Sequence, residues 1–153
     1  MKYDVPRVGI LEFDTIVLDL NGTLSVKWMI SDETKEKISR LRELGFTIYL
    51  LTGDARWTGQ TLCDNLWIDL VVTQGSKEKA AFMKKIGKEK TVAIGNARID
   101  IGMFQNAALS IATIQSEWIH TAILEHVDII IPNIEDALDL FIDWDSLRAT
   151  MII

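Results

Sequence analysis

The chain has very little of what crosslinks a protein, spans a membrane or attracts nucleic acid. A single cysteine, Cys63, rules out an internal disulfide and fits a reducing cytoplasm. The apolar runs are only a few residues long, far short of the roughly 20 that a membrane span needs, and the first residues lack the apolar core of a secretion signal. The net charge of −6 argues against nonspecific binding to nucleic acid. We therefore expect a cytoplasmic protein with neither a membrane nor a nucleic acid as partner.

Proline and glycine are also scarce, with two and nine residues, whereas 48% of the chain is apolar. This composition is typical of a globular chain and excludes a disordered one. We expect residues 1–153 to form a single domain, because this length is enough to bury a sizeable core. The five tryptophans are expected to pack in the core or at an interface.

Short apolar runs alternate with segments of helical spacing along the chain. Strands are predicted at 8–11, 16–20, 46–51, 69–73, 91–94, 109–112 and 128–131, and helices at 32–44, 58–66, 76–86, 99–106, 117–124 and 133–142. The first two strands are expected to form a small hairpin that leads into the sheet. Continuous apolar strands separated by helices indicate an α/β fold, a three-layer doubly wound sheet that is mainly parallel. In such sheets the chemistry lies at the carboxyl ends of the strands.

Four polar clusters lie at or beyond predicted strand ends. They are Asp19 with Asn21, Gly22 and Thr23; Thr52 with Gly53 and Asp54; Lys79; and the loop from Asn96 to Asp100. The first cluster offers a carboxylate held by a strand, followed by a glycine turn that lets backbone N–H groups approach a phosphoryl oxygen. The others offer a hydroxyl, an ammonium and an acidic loop that suits Mg²⁺. Together these groups indicate phosphoryl transfer.

The order of these clusters resembles the motifs of the haloacid dehalogenase superfamily, and within it the phosphorylation domain of P-type ATPases. The matching segments are Asp19-Leu-Asn-Gly-Thr-Leu, Leu51-Thr-Gly-Asp-Ala-Arg-Trp-Thr, Glu78-Lys-Ala-Ala-Phe-Met-Lys-Lys-Ile and Val92-Ala-Ile-Gly-Asn-Ala-Arg-Ile-Asp, and residues 107–139 are similar to the stretch that follows in the pumps. The intervals between the motifs are too short for a cap domain. The resemblance implies a soluble, capless member of the superfamily with an open site.

The resemblance also implies roles for individual residues. Asp19 would attack phosphorus, and Thr52 and Lys79 would bind the phosphoryl group. The full expected set comprises the catalytic residues Asp19, Asn21, Thr52 and Lys79, the phosphate-binding residues Gly22, Thr23, Thr52, Gly53 and Lys79, and the Mg²⁺ ligands Asp19, Asn21, Asn96 and Asp100.

Several residues depart from the family pattern. Asn21 stands where family phosphatases carry the acid that protonates the leaving group and activates water, and an amide does neither. Asn96 replaces the principal acidic ligand of the fourth motif, and Ile99 replaces an asparagine. Counting Asp19 and Asp100 against Lys79 and Arg98 gives a neutral site, and we derive from this the hypothesis of weak Mg²⁺ affinity and a stronger pull on bare anions.

Two functions stay open on the sequence alone. The first is a slow Mg²⁺-dependent phosphohydrolase, and the second is an impaired relative that binds a phosphorylated ligand or partner without turnover. Arg56 and Trp57 either line the mouth of the site or simply begin a helix. The apolar tail around Trp144 and Ile152 either packs on its own chain or indicates a homo-oligomer, which we favour. The sequence does not identify the substrate.

Overall fold

A computed structural model describes residues 1–53, 57–115 and 118–152. The strands are β1 (Lys2–Val5), β2 (Gly9–Glu12), β3 (Thr15–Asp19), β4 (Thr47–Thr52), β5 (Asp69–Val72), β6 (Thr91–Gly95), β7 (Leu109–Thr113) and β8 (Ile129–Ile131). The helices are α1 (Asp32–Glu43), α2 (Trp57–Leu66), α3 (Ser76–Ile86), α4 (Ile101–Phe104), α5 (Ile134–Ile142) and α6 (Trp144–Met151), with 3₁₀ helices at Arg98–Asp100 and Thr121–His126. β1 and β2 form a separate antiparallel pair.

The main sheet has six strands in the order β5-β4-β3-β6-β7-β8, and every neighbouring pair is parallel. β3 lies at its centre because its run is apolar on both faces, with Ile16 and Leu18 in one core and Val17 in the other. The register pairs Asp19 with Leu51, one residue before the end of β4. The carboxyl end of β3 therefore carries Asp19 to the edge where Thr52 also lies.

The sheet is covered on both faces, as the sequence predicts. One core contains side chains of α1, α2, α5 and α6 together with the β1–β2 pair, and the other contains side chains of α3 and α4. This confirms the three-layer α/β fold. Within the described part of the chain, no helix is both long and apolar enough to cross a membrane.

The helix boundaries follow from local capping. Ser31 precedes α1 and its hydroxyl accepts a hydrogen bond from the backbone N–H of Thr34 at 3.0 Å, which satisfies one of the open donors of the first turn. Gly45 follows this helix with a φ of +95°, in the left-handed region where glycine is favoured. Asn133 caps α5 in the same way by accepting from Asp136 at 2.8 Å. The helices predicted at 32–44 and 133–142 therefore begin and end within one residue of their bounds in the structure.

The N-terminal hairpin is confirmed, but its predicted strand pairing is wrong. The strand at 9–12 pairs with β1 at 2–5, not with the run at 16–20. The reason is that β3 is already hydrogen-bonded to β4 on one side and β6 on the other, so it offers no free edge. Tyr3 fastens the hairpin to the core, since its hydroxyl donates to the carbonyl of Phe141 at 3.0 Å. Burial raises the pKa of Tyr3 to about 12.

Two predicted helices are also shorter or different in the structure. The segment predicted as helix 117–124 contains the 3₁₀ helix Thr121–His126, while residues 118–120 have no regular structure and residue 117 lies outside the described residues. The segment predicted as helix 99–106 contains part of a 3₁₀ turn and the four-residue helix α4. Each segment nevertheless contributes buried apolar side chains, Met103 and Phe104 from one and Ile123 from the other.

The tryptophans do not fill the core. Trp28, Trp67, Trp118 and Trp144 are all exposed, and the side chain of Trp57 lies outside the described residues. In the C-terminal tail, Leu147 is fully buried against its own chain, which accounts for part of the apolar tail without a partner. Of the two predicted locations, core or interface, exposure excludes the core for these four, and packing at an interface stays a prediction.

Thr73, just beyond β5, has a buried hydroxyl whose contribution to stability can be tested. Its backbone N–H donates to the carbonyl of Thr52 at 2.9 Å, but its buried hydroxyl has no hydrogen-bond partner among the described residues. Because an unpaired buried hydroxyl is costly, we expect Thr73→Val to raise the free energy of unfolding by about 1 kcal/mol. Urea unfolding measures this, and a loss of stability in the variant would show that the hydroxyl has a partner.

Candidate active site

Five of the predicted site residues, Asn21 among them, line one cavity at the carboxyl edge of the sheet. Asp19 from the end of β3, Thr52 and Gly53 from the end of β4, and Lys79 from α3 surround a volume of about 390 Å³, together with Asn21, Ala97 and Ile99. Asp19, Thr52 and Lys79 are otherwise buried. The cavity therefore places a carboxylate, a hydroxyl and an ammonium around one space, which is the arrangement predicted from the motifs.

Lys79 connects two carboxylates. Its ammonium donates to Asp19 Oδ1 at 2.6 Å and to Asp100 Oδ1 at 2.6 Å. All three side chains are almost completely removed from solvent. The position of Lys79 in the first turn of α3 brings its side chain back toward the strand ends, so the helix fixes the ammonium beside Asp19.

Asp100 has a different surrounding from the one expected of a metal ligand. Its Oδ1 accepts from Lys79, and its Oδ2 accepts from the backbone N–H groups of Asn96 at 3.0 Å and Ala97 at 2.9 Å. The packing is so close that a Cβ on Gly95 would lie 2.6 Å from Asp100 Oδ2, which explains the glycine there. Asp100 holds the loop and orients Lys79, and it does not line the cavity.

The charges of this cluster do not balance. Arg98 is exposed and does not line the cavity, so two buried carboxylates face one ammonium. Burial, and then the charge of Asp100, raise the pKa of Asp19 to about 7 although Lys79 lowers it. Burial lowers the pKa of Lys79, but the two carboxylates outweigh this and raise it overall, so the lysine stays charged. The count that placed Arg98 at the site does not fit its position, and the expected weak Mg²⁺ affinity and pull on bare anions stay predictions.

The loop after Asp19 uses its backbone donors internally. Gly22 has a φ of +81° and donates to the carbonyl of Ser25, while the N–H of Thr23 donates to the carbonyl of Leu20. The Thr23 hydroxyl is buried and points to Asn96 Oδ1 at 3.4 Å. Gly22 and Thr23 therefore shape the loop in this structure, and their predicted contact with phosphate stays a prediction.

Gln115 is a site-supporting residue that the sequence analysis missed. Its side-chain amide donates to the carbonyl of Gly22 at 3.0 Å and also to that of Thr23, and its carbonyl oxygen accepts from the N–H of Ile134 at 3.1 Å. Thr113 adds a further bond to the carbonyl of Gly22 at 3.2 Å. The loop that follows Asp19 is thus fastened to the chain beyond β7. An isolated glutamine after a strand carries no signal for this role in the sequence.

The donors that could hold a divalent cation are few. No group of three His, Cys, Asp or Glu side chains with suitable spacing occurs among residues 1–53, 57–115 and 118–152. Asp19 and Asn21 line the cavity, and buried Asn96 lies behind it with its amide N–H donating to the carbonyl of Trp118 at 3.2 Å. This bond fixes the amide so that Oδ1 faces Thr23. One carboxylate with neutral oxygens fits Mg²⁺, which keeps several waters and takes oxygens from a substrate phosphate.

Some predicted positions lie outside the described residues. These are Asp54 and Arg56 and the side chain of Trp57, which follow Gly53 at the cavity. The interval from 20 to 46 is described throughout and consists of the loop after Asp19, a two-residue turn and α1. It contains no inserted domain, in agreement with the capless arrangement.

The comparisons with known proteins agree with the motifs. The chain is 24% identical over 135 residues to a soluble P-type ATPase-like phosphatase of Methanocaldococcus jannaschii, covering 85% of this chain and 50% of the relative. It is 29% identical over 96 residues to a copper-exporting P-type ATPase of Staphylococcus aureus, covering 61% of this chain and 12% of the relative. The chain thus spans half of the first relative and a small part of the second. No family model matches it.

Solved structures confirm the fold. The 3-deoxy-D-manno-octulosonate 8-phosphate phosphatase of Moraxella catarrhalis, solved with a magnesium ion, a phosphate ion and a KDO molecule, has a TM-score of 0.73 at 15% identity. The match covers 90% of this chain and 92% of that one. A cobalt-bound phosphatase of the same type from Haemophilus influenzae has a TM-score of 0.73 at 13% identity, covering 92% and 93%. The fold is that of the haloacid dehalogenase phosphatases, as the resemblance implied.

Proposed function

We propose that this chain, which has the haloacid dehalogenase fold, is a slow Mg²⁺-dependent phosphohydrolase that forms an aspartyl-phosphate on Asp19. The observation that supports it most is the cavity shared by Asp19, Thr52 and Lys79, in which the Lys79 ammonium lies 2.6 Å from Asp19 Oδ1. A carboxylate fixed by a strand end, beside an ammonium and a hydroxyl, provides a nucleophile and two groups for phosphoryl oxygens.

The proposed reaction has two steps. An oxygen of Asp19 attacks phosphorus and forms a new O–P bond while the bond from phosphorus to the leaving oxygen breaks. The leaving oxygen takes its proton from water, because Asn21 has none to give. Water then hydrolyses the acyl phosphate, which releases inorganic phosphate and restores the Asp19 carboxylate. Thr52 and Lys79 hold the phosphoryl oxygens in both steps.

Asp100 and Lys79 act together in this scheme. Asp100 accepts from Lys79 and from two backbone N–H groups, so it keeps the ammonium charged and oriented. A preoriented cation stabilises negative charge that develops on the transferring group without reorganisation at the moment of reaction. Asp100 is therefore proposed as a positioning residue, and its role as a metal ligand stays a prediction.

The charge of the site supports a requirement for a cation. Two carboxylates face one ammonium, so a phosphate anion would enter a cluster that already carries one excess negative charge. Asp19, the backbone carbonyl of Asn21 and the side chain of Asn96 would hold Mg²⁺. The ion would supply neutralising charge for the phosphoryl oxygens.

A second candidate function is binding of a phosphorylated ligand or partner without turnover, and Asn21 is the observation that favours it. General acid–base help is typically worth about 10²–10⁴-fold, so its loss leaves a site that binds better than it reacts. We propose a small phosphorylated substrate as the first choice, because the cavity has a volume of about 390 Å³, within the range of small-ligand pockets. Self-association through the tail stays a prediction.

Intact-protein mass spectrometry distinguishes the two functions. We expect incubation with acetyl phosphate and Mg²⁺ to add the mass of one phosphoryl group to the protein, because acetyl phosphate has a leaving group that needs no protonation. Asp19→Asn should abolish the adduct. Asp14 is an exposed carboxylate just before β3, the strand that ends at Asp19, and Asp14→Asn should retain the adduct. If the protein acquires no adduct and hydrolyses no chromogenic phosphate, the phosphohydrolase is contradicted and only the binding function remains.

A further inference from the structure

A second cavity lies beside the one that contains Asp19. It has a volume of about 380 Å³, and Asn21 lines both cavities. Its walls are mostly apolar, formed by Leu20, Trp28, Met29, Ile30 and Leu62. Leu20 directly follows the proposed nucleophile in the chain. A group bonded to a phosphoryl oxygen at Asp19 therefore has an apolar space next to it.

A tight turn presents the aromatic wall of this cavity. Val26 and Met29 exchange two backbone hydrogen bonds, at 2.9 and 3.0 Å, around Lys27 and Trp28. Both central residues have positive φ, 51° and 67°. Turns of this type favour Asn-Gly, because bulky side chains are strained in the left-handed region. Strain of this kind often accompanies a functional site, where the turn holds a side chain in one place.

The exposure of this turn also indicates a functional site. Trp28 and Met29 are 72% and 73% exposed, although both are large apolar side chains at the edge of a cavity. Exposed apolar residues that converge on a concave site are typical of ligand recognition. The charged member of the lining, Lys35, already pairs with Asp32 at 2.6 Å.

We propose that this cavity binds an aromatic or similarly apolar group of a phosphate monoester whose phosphoryl group lies at Asp19. This inference rests on the proposed function and specifies its substrate class. The volume lies within the range of small-ligand pockets and holds a ring system. A hydroxyl-rich leaving group such as a sugar would bury less apolar surface against Trp28, Met29 and Leu62 and would gain less from them. The aromatic ring of Trp28 would instead pack against a ring of the substrate.

Two phosphonates that are not hydrolysed test this directly. Methylphosphonate and benzylphosphonate carry the same anionic group and differ in the apolar group, so calorimetric titration with Mg²⁺ present measures binding apart from turnover. We expect benzylphosphonate to bind about tenfold more tightly, the ratio that one aromatic contact provides. Trp28→Ala and, independently, Met29→Ala should reduce this ratio while methylphosphonate binds as before.

Trp67→Ala is the matched control. Trp67 is 77% exposed and also has a positive φ, 55°, but it lies before β5, at the opposite edge of the sheet from Asp19. Its removal should leave the ratio unchanged. The aromatic subsite would be overturned if the native protein bound the two phosphonates equally, or if both turn variants kept the native ratio. Binding of methylphosphonate would still support the phosphate site in either case. Failure of both phosphonates to bind would overturn the subsite and the proposed function together.

Discussion

Replacing Asn21 with aspartate is expected to raise the turnover of phosphate monoesters by about 10²–10⁴-fold, the usual gain from general acid–base catalysis. Asn21 lies two residues after Asp19 and lines the same cavity, so a carboxyl group there has access to the leaving oxygen. Aspartate has nearly the shape of asparagine, so the substitution changes the proton chemistry of the cavity and not its volume.

Steady-state hydrolysis of a chromogenic phosphate with Mg²⁺ measures this gain. The phosphoryl adduct that forms from acetyl phosphate should also decay faster in the variant. Asn65→Asp, an exposed position on α2, adds the same charge outside the cavity and should leave the rate unchanged. We would test Asn21→Asp alone, because Asn96→Asp loses the hydrogen bond to the carbonyl of Trp118. A rate in Asn21→Asp equal to that of the native chain would contradict the role of position 21.

Removing the ammonium is expected to have the largest effect on stability. Lys79→Met leaves Asp19 and Asp100 buried without their shared partner, and breaking a buried ion pair in this way costs about 3–5 kcal/mol. Urea unfolding in chelator at pH 8 measures the loss. Lys90→Met, which removes an exposed pair with Glu12, should leave the free energy of unfolding nearly unchanged.

Asp19→Asn should act in the opposite direction. The pKa of Asp19 is raised from 3.8 to about 7, so the folded protein binds this proton more tightly than the unfolded chain does. The contribution of Asp19 to stability is therefore lost as the pH rises from about 4 to about 7. We expect the variant to be more stable than the native chain by about 2–4 kcal/mol at pH 8 without metal, and equally stable near pH 4. A variant less stable at pH 8 would show that the Lys79 pair outweighs the burial of Asp19.

The sequence predicted those parts of the fold that depend on local chemistry. The bounds of α1 and α5 and the continuous apolar run of β3 each depend on interactions over a few residues. The position of Asp19 was predictable from this run, because the carboxyl end of a central parallel strand lies at the carboxyl edge of the sheet. Thr52 lies there for the same reason, and Lys79 reaches the same cavity from the first turn of α3.

The remaining features depend on contacts between distant parts of the chain. Spacing alone does not show that the two oxygens of Asp100 accept from Lys79 and from the loop, so this positioning role was not predicted. Arg98 was counted in the site although its side chain faces solvent. The turn at Lys27 and Trp28 had no Asn-Gly signal, so neither the turn nor the apolar cavity beside it was predicted.

The claim that Asp19 accepts the phosphoryl group is tested most directly by a crystal structure grown with Mg²⁺ and beryllium fluoride, which mimics an aspartyl-phosphate. We predict beryllium bonded to a carboxylate oxygen of Asp19, with fluorides in contact with the Thr52 hydroxyl and the Lys79 ammonium. Beryllium fluoride bound at another residue, or an Asp19 that keeps only its Lys79 pair in crystals saturated with the complex, would contradict the claim.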